Sequence, residues 1–240
     1  VVELSNVDIY QKETLVLEDV NLRISKGEFV YLIGKTGSGK SSLLKTLYAA
    51  IPPVKGSATV VDVDLSTVDR HTIPGLRRKL GIVFQQTTLD LDLSVRQNLQ
   101  YFAALHCISG RDATRRIDAA LDKLAMLERA GEKARNLNGG HRRRAEIARA
   151  LIHDPAVLLL DEPTVGLDAA ARAAITKHVH QLTDEGTTVL WSTHLTDEIG
   201  PEDQLVILHK AHVLAHGFCE DICGDVPLAE KFLAMTTAPA

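Results

Sequence analysis

One loop near the start of the chain carries the clearest chemical pattern. Residues 34–41 read GKTGSGKS and fit the phosphate-binding pattern G-x-x-x-x-G-K-[ST] at every fixed position. Its glycines let backbone N–H groups approach phosphate oxygens without an intervening Cβ. Lys40 is expected to reach the β- and γ-phosphates, and the Ser41 hydroxyl to bind Mg²⁺, so a nucleoside triphosphate is the predicted ligand. The predicted binding residues of this loop are Gly34, Lys35, Thr36, Gly37, Ser38, Gly39, Lys40, Ser41 and Ser42.

A second motif supplies the groups that hydrolysis needs. Residues 156–163 read AVLLLDEP, an apolar run that ends in two carboxylates. The run predicts a strand buried on both faces, with Asp161 at its tip to hold the Mg²⁺ shell. Glu162 is then placed to orient and deprotonate the attacking water. Two acidic residues let metal binding and base catalysis use separate groups.

These groups need a scaffold that brings distant parts of the chain together. Three apolar runs are each followed by polar residues: 80–84 by Gln85, 157–160 by Asp161 and Glu162, and 188–193 by His194. The carboxyl ends of parallel strands meet at one edge of an open α/β sheet, where such sheets bind ligands. We therefore expect these polar side chains to converge on the nucleotide.

The order of the elements predicts an α/β fold with a mostly parallel sheet. The opening segment differs, because its short apolar runs predict an antiparallel layer. Its strands are expected at 1–4, 15–17 and 22–24. From Gln85 to about Asp154 the apolar residues fall at helical spacing and predict an inserted helical lobe. Residues 205–208 and 212–215 predict a hairpin, and residues 236–240 are expected to fray.

Composition narrows the class of protein. The 240 residues suffice for a substantial core, and three cysteines argue against a disulfide framework. A net charge of −4 without a strongly basic face gives no reason to expect a nucleic-acid partner. No apolar run approaches the ~20 residues of a membrane helix. The expected location is cytoplasmic, with any membrane contact made through a partner. The absence of a starting Met suggests a trimmed or engineered chain.

The motifs together resemble those of the ATP-binding cassette (ABC) ATPases. The phosphate loop, a glutamine after VF, LNGGH, LLLDEP, GLD and a histidine after WST occur in that family's order. The resemblance covers essentially the whole chain, and it implies a P-loop NTPase (RecA-like) core with ATP and Mg²⁺ as ligand and cofactor. It also implies a single domain over residues 1–240, with the core in 1–85 and 155–240 and the helical subdomain in 86–154.

The same resemblance implies an ATP-dependent, head-to-tail homodimer. In the family the LSGGQ motif binds the γ-phosphate held by the opposite subunit, and here that motif is LNGGH, residues 137–141. Asn138 replaces serine, but it can still cap the helix and donate its amide, and Gly139 and Gly140 keep the backbone N–H groups free. His141 replaces glutamine, which leaves the strength of γ-phosphate sensing open.

Four further roles follow from the resemblance. Gln85 contacts Mg²⁺ or water and reports the nucleotide state to a membrane partner. Asp168, which closes GLD, couples the two sites across the dimer and can also cap a helix. His194 contacts the γ-phosphate. Tyr10 is the expected platform for the adenine, although a structural tyrosine is an alternative.

Other patterns have a less specific interpretation. The run 142–144, three arginines, predicts a solvated helix face. The alternating segment 89–93 is typical of an exposed strand or a docking surface. Cys107 is expected to be buried in the helical lobe. Four zinc-type ligands near the end, two histidines and two cysteines, are interpreted as a chance grouping: His212, His216, Cys219 and Cys223.

The combined prediction is an ATP-hydrolysing subunit that dimerises around ATP and drives a membrane-spanning transporter partner. Two alternatives stay open: an ATPase that regulates a cell-division partner without transport, and a nucleotide-binding module with negligible turnover. The part before Gln85 resembles the cell-division branch of the family and the later motifs resemble an exporter branch, so a chimera is a further hypothesis. A GTPase is disfavoured because no N-K-x-D string is present.

Overall fold

The structure, a computed structural model, describes residues 1–237. The strands are β1 (Val2–Gln11), β2 (Thr14–Ile24), β3 (Phe29–Gly34), β4 (Lys55–Val60), β5 (Val63–Asp64), β6 (Leu80–Val83), β7 (Val157–Asp161), β8 (Thr188–Thr193), β9 (Gln204–His209) and β10 (His212–Phe218). The helices are α1 (Lys40–Leu47), α2 (Ile73–Arg77), α3 (Val95–Leu105), α4 (Gly110–Lys123), α5 (Gly139–Leu151), α6 (Ala169–Asp184), α7 (Cys219–Cys223) and α8 (Leu228–Thr237).

A six-stranded sheet forms the centre of the molecule, in the order β10-β9-β3-β8-β7-β6. Its strands pair in parallel, except that β10 pairs antiparallel to β9 as the predicted hairpin. The ends of β3, β6, β7 and β8 carry the phosphate loop and the polar residues that the sequence placed there. The predicted mostly parallel α/β sheet is therefore confirmed.

Both faces of this sheet are covered, which explains its almost unbroken apolar strands. Alternate residues of β3 point to opposite faces. Val30 and Leu32 pack with the antiparallel layer and α1, whereas Tyr31 and Ile33 pack in the core that includes the helices between β6 and β7. One strand thus joins two hydrophobic cores.

The antiparallel layer has the order β2-β1-β4-β5. The layer was predicted, but its two short strands at 15–17 and 22–24 form the single eleven-residue β2. Register shifts along β1 interrupt its pairing with β2, so local apolar runs did not reveal the continuous strand.

Three helices, α3, α4 and α5, lie between β6 and β7 in the chain. A capping box begins α3, because Ser94 accepts from the Gln97 N–H while the Gln97 side chain accepts from the Ser94 N–H. Before it, Leu89 is buried and Leu91 is 41% exposed in a turn, so the exposed-strand interpretation of 89–93 is wrong.

Two smaller expectations are also wrong. Cys107 is exposed, because it follows the last turn of α3 with a positive φ of 59° and lies at the surface of the helical lobe. Thr236 and Thr237 belong to α8, and Thr236 is 5% exposed. The remainder of the predicted frayed end, residues 238–240, lies outside the described residues.

His153 gives the fold a specific pH dependence. Its Nε2 lies 3.0 Å from the Leu80 carbonyl oxygen and its ring stacks on His106. Burial, opposed by the hydrogen bond to Leu80, lowers the pKa of His153 to about 4 from 6.5. Because the folded-state pKa lies below the unfolded one, protons bind the unfolded chain more tightly and stability falls as the pH drops below 6.5.

We predict that the parent loses about 1–2 kcal/mol more stability than a His153→Gln variant between pH 7 and pH 5, after allowance for solvent screening. Urea unfolding at both pH values measures this difference. Equal losses in the two proteins would contradict it.

Candidate active site

The phosphate loop is shaped by contacts with the antiparallel layer. Gly39 has a left-handed φ of 108° and precedes α1. A Cβ at this position would lie 2.6 Å from Leu17 Cδ2 and 2.9 Å from the Val16 carbonyl oxygen. No side chain caps α1, so the N–H groups of its first turn stay available for an anion.

Lys40 is held inside this loop. Its side chain is 5% exposed, and Nζ donates to the Gly34 carbonyl oxygen at 2.7 Å. Nearby, the buried Ser38 Oγ has no hydrogen-bond partner in the structure. A buried hydroxyl without a partner is costly, and a phosphate oxygen would satisfy it. The loop therefore fits a phosphate chain.

The groups suited to Mg²⁺ lie at the other side of the loop. The Ser41 hydroxyl donates to Asp161 Oδ1 at 3.4 Å, and Ser192 Oγ donates to the same oxygen at 2.6 Å. A hydroxyl and a carboxylate are the hard oxygen ligands that Mg²⁺ takes together with substrate phosphates. The residues present fit this metal.

Glu162 lies at the centre of the site with 13% of its side chain exposed. Its Oε1 is 3.5 Å from Lys40 Nζ. Its Oε2 accepts from Gln85 Nε2 at 3.3 Å and lies 3.3 Å from His194 Nδ1. The convergence expected from the ends of β6, β7 and β8 is present in the structure.

The backbone of Glu162 adopts a strained conformation. Its φ is 48°, in the left-handed region that non-glycine residues rarely occupy. Its N–H donates to the Ser192 carbonyl oxygen at 3.0 Å and to Ser192 Oγ at 3.2 Å. The neighbouring strand β8 thus holds the turn that directs the carboxylate into the site.

A cavity of about 350 Å³ lies over these groups. Its walls include residues 36–42, Gln85 and Glu162, and also Gln11 and Val16 of the antiparallel layer. Sequence reasoning missed the last two, because neither belongs to a motif and only the fold brings β1 and β2 to the loop. Tyr10 is 39% exposed and does not line this cavity.

The LNGGH motif lies outside this cavity. Asn138 caps α5, because its Oδ1 accepts from the His141 N–H at 2.8 Å. A Cβ on Gly139 or Gly140 would lie 2.9 Å from Leu167 or Ala171, so both glycines pack against the start of α6. None of the three residues 138–140 lines the phosphate cavity of its own chain.

The structure also places Asp168 and the last residue of the motif, His141. Asp168 caps α6 through a bond from the Ala171 N–H to Oδ1, at 2.8 Å, and it too lies outside the cavity. Partial burial and the adjacent Arg144 and Arg129 lower the pKa of His141, which favours its neutral form. His141 therefore adds no strong positive charge at this end of α5.

One arginine of the run 142–144 is buried, contrary to the predicted solvated helix face. Arg143 is 8% exposed and its guanidinium reaches the carbonyl oxygens that precede the site, so the solvated-face interpretation is wrong for this residue. The interpretation failed because α5 packs beneath the end of β6, and sequence alone did not show that contact.

The zinc-type pattern is not assembled. Within residues 1–237 no group of three or more His, Cys, Asp or Glu side chains is arranged to hold a metal ion. Cys219 and Cys223 lie 3.8 Å apart, sulfur to sulfur, while His212 lies beside Glu18.

Comparison with known proteins identifies the family. The model of the ABC transporter family matches residues 17–165. The Nod factor export ATP-binding protein I of Cupriavidus pinatubonensis is 36% identical over 82% of this chain, and the match spans 60% of that relative's length. The cell division ATP-binding protein FtsE of Escherichia coli is 37% identical over 74% of this chain and 80% of its own.

A similar solved structure agrees with this family assignment. The ATP-binding cassette MJ0796, in a dimeric post-hydrolysis state with ADP and phosphate, is 29% identical with a TM-score of 0.80. The match covers 91% of this chain and 99% of that one.

The contacts around Gly39 predict that alanine destabilises the protein more at Gly39 than at Gly37. Gly39→Ala is expected to lower the free energy of unfolding by about 2–4 kcal/mol, because a left-handed φ and a clash with β2 add. Gly37→Ala is the matched control, since its φ is 81° but nothing lies within 4 Å of the added Cβ. It should cost about 1 kcal/mol. Denaturant unfolding of both variants checks this, and equal costs would contradict it.

Proposed function

The chain belongs to the ABC transporter family and is an ATPase that uses ATP and Mg²⁺, and from that premise we propose that two copies enclose ATP and drive a membrane-spanning partner. The observation that carries the proposal is the Glu162 carboxylate, in contact with Lys40, Gln85 and His194. A base held by three polar groups beside a phosphate loop suits the attack of water on a γ-phosphate.

In this proposal each residue has a separate role. Lys40 supplies positive charge to the phosphates. Ser41 and Asp161 would hold Mg²⁺, which would neutralise charge on the phosphates. Glu162 accepts a proton from the attacking water. His194 and Gln85 orient the Oε2 oxygen of Glu162. Gln85 would also contact Mg²⁺ or its water. Tyr10 stays the proposed adenine platform.

The second half of the site comes from another copy of the chain. The free N–H groups at the start of α5 make Asn138, Gly139 and Gly140 an anion site, yet they do not line their own chain's cavity. A head-to-tail homodimer would place them over the partner's γ-phosphate. The solved relative is a dimer with bound ADP and phosphate, which supports a dimer as the working form. We call residues 138–140 the lid, and Asp168 would then lie beside it.

The membrane partner is part of the proposal. No helix between residues 1 and 237 has the length and apolar content needed to cross a membrane. We propose a transmembrane transporter subunit, reached from the cytoplasmic face through the helical region 86–154, with 1–85 and 155–240 as the catalytic core. Similarity to FtsE favours regulation of cell division as the second candidate. The chimera stays a prediction.

Removal of the base tests the chemistry. We predict that Glu162→Gln lowers steady-state phosphate release by about 10²–10⁴-fold, because the amide cannot accept the proton. The same variant should elute as a dimer in size-exclusion chromatography with ATP and as a monomer without it. A parent with negligible phosphate release would instead support the binding-module alternative, and a variant that stays monomeric with ATP would contradict the shared site.

Mixing two inactive variants tests the shared site directly. Lys40→Ala disables the phosphate loop, and Gly139→Asp places a carboxylate at the lid, where the flexible end of the Leu167 side chain must move to admit it. Each alone should be inactive. An equal mixture should recover activity that neither variant has alone, at most about a quarter of the parent rate, because half the dimers are mixed and each has one intact site. No recovery would indicate that both elements act within one chain.

A further inference from the structure

A buried ion pair lies on the face of α5 that meets the segment after β6. Arg143 is 8% exposed and Glu146 is 1% exposed, and the guanidinium donates to Glu146 Oε2 at 2.8 Å. Burial lowers the pKa of Arg143 and raises that of Glu146, and in both residues the partner's charge opposes this shift. The mechanism described above uses neither residue.

The pair binds both ends of the segment 84–88, which follows β6. Arg143 donates to the Phe84 carbonyl oxygen at 2.6 Å and to the Gln85 carbonyl oxygen at 2.7 Å. Glu146 Oε1 accepts from the Thr88 N–H at 2.7 Å. One turn further along α5, Arg149 donates to the Thr88 carbonyl oxygen at 3.0 Å. Helix α5 therefore fixes the backbone that carries the Gln85 side chain.

Stability alone does not account for this pair. Desolvation of two charges offsets most of their attraction, and apolar residues of similar volume often stabilise a core as well or better. What the apolar replacement lacks is the pair of directed bonds to the Phe84 and Gln85 carbonyl oxygens. Those bonds set where Gln85 Nε2 meets Glu162 Oε2.

The same helix begins at the proposed lid. Arg143 lies five residues after Asn138, a separation of about 7.5 Å along a rigid helix. A displacement of the start of α5 would thus be passed to Gln85 without an intervening loop. In the head-to-tail dimer the lid belongs to one nucleotide site and Gln85 to the other.

We propose that Arg143 and Glu146 are positioning residues that couple the lid at one site to Gln85 and Glu162 at the other. This inference rests on the proposed head-to-tail dimer. Closure of the start of α5 over the partner's ATP would place Gln85 for hydrolysis in its own chain, so the two sites would act cooperatively.

The test replaces the pair without leaving a buried charge. Arg143→Met/Glu146→Leu keeps the volume apolar but removes the bonds to the two carbonyl oxygens and to the Thr88 N–H. We expect kcat to fall about tenfold or more and the Hill coefficient for ATP to fall toward one. The Kd for ATP, the Tm and the ATP-dependent dimer formed in the Glu162→Gln background should stay near the parent values, because the phosphate loop and the lid are intact.

Two further variants make the result interpretable. Arg143→Lys keeps the charge beside Glu146 but cannot bridge both carbonyl oxygens, so kcat should fall with an unchanged Kd even if the double variant does not fold. Arg96→Met/Asp118→Leu is the control, since that arginine pairs with its carboxylate at 2.7 Å between α3 and α4, away from the site. It should retain the parent's kcat and Hill coefficient.

The outcomes separate this inference from the proposed function. If the parent hydrolyses ATP and dimerises with it, but Arg143→Lys and the folded double variant keep kcat within about twofold and the same Hill coefficient, the coupling is overturned. A lower Tm, weaker ATP binding and a lower kcat together would assign the pair a purely structural role and would also overturn the coupling. A parent that neither dimerises nor turns over would instead overturn the proposed function.

Discussion

The arrangement of the site depends on one carboxylate. Glu162 occupies a strained left-handed turn after β7, and β8 holds that turn through two hydrogen bonds from the Glu162 N–H to Ser192. From there its two oxygens meet Lys40, Gln85 and His194, which come from three other parts of the chain. A buried carboxylate needs such partners, because an isolated charge is costly to remove from water.

Strand order makes this convergence possible. Strands β3, β8, β7 and β6 are neighbours and run parallel, so their carboxyl ends present the phosphate loop and the polar residues at one edge. The antiparallel layer closes the loop from the other side, where Val16 and Leu17 crowd Gly39. The helical region adds α5, whose first turn carries the proposed lid and whose Arg143 donates to the Gln85 carbonyl oxygen. The proposed catalytic groups and the proposed lid are thus joined through the sheet and one helix.

Residue patterns predicted the parts of this arrangement that depend on local chemistry. The phosphate loop, the acidic strand end and the polar residues after β6 and β8 lie where strand periodicity placed them. Features set by packing between distant segments were not predictable in this way. Arg143 has the composition of a surface arginine and is buried only because α5 packs against the end of β6. Gln11 and Val16 reach the cavity through sheet pairing, and Cys107 is exposed because its helix ends at the surface.

The most direct measurement is a crystal structure of the Glu162→Gln variant with ATP and Mg²⁺. The composite site predicts two chains in head-to-tail contact, with each γ-phosphate between Lys40 of one chain and the Gly139 and Gly140 N–H groups of the other. Nucleotide bound by a single chain, with residues 138–140 of the second chain distant from it, would contradict the arrangement.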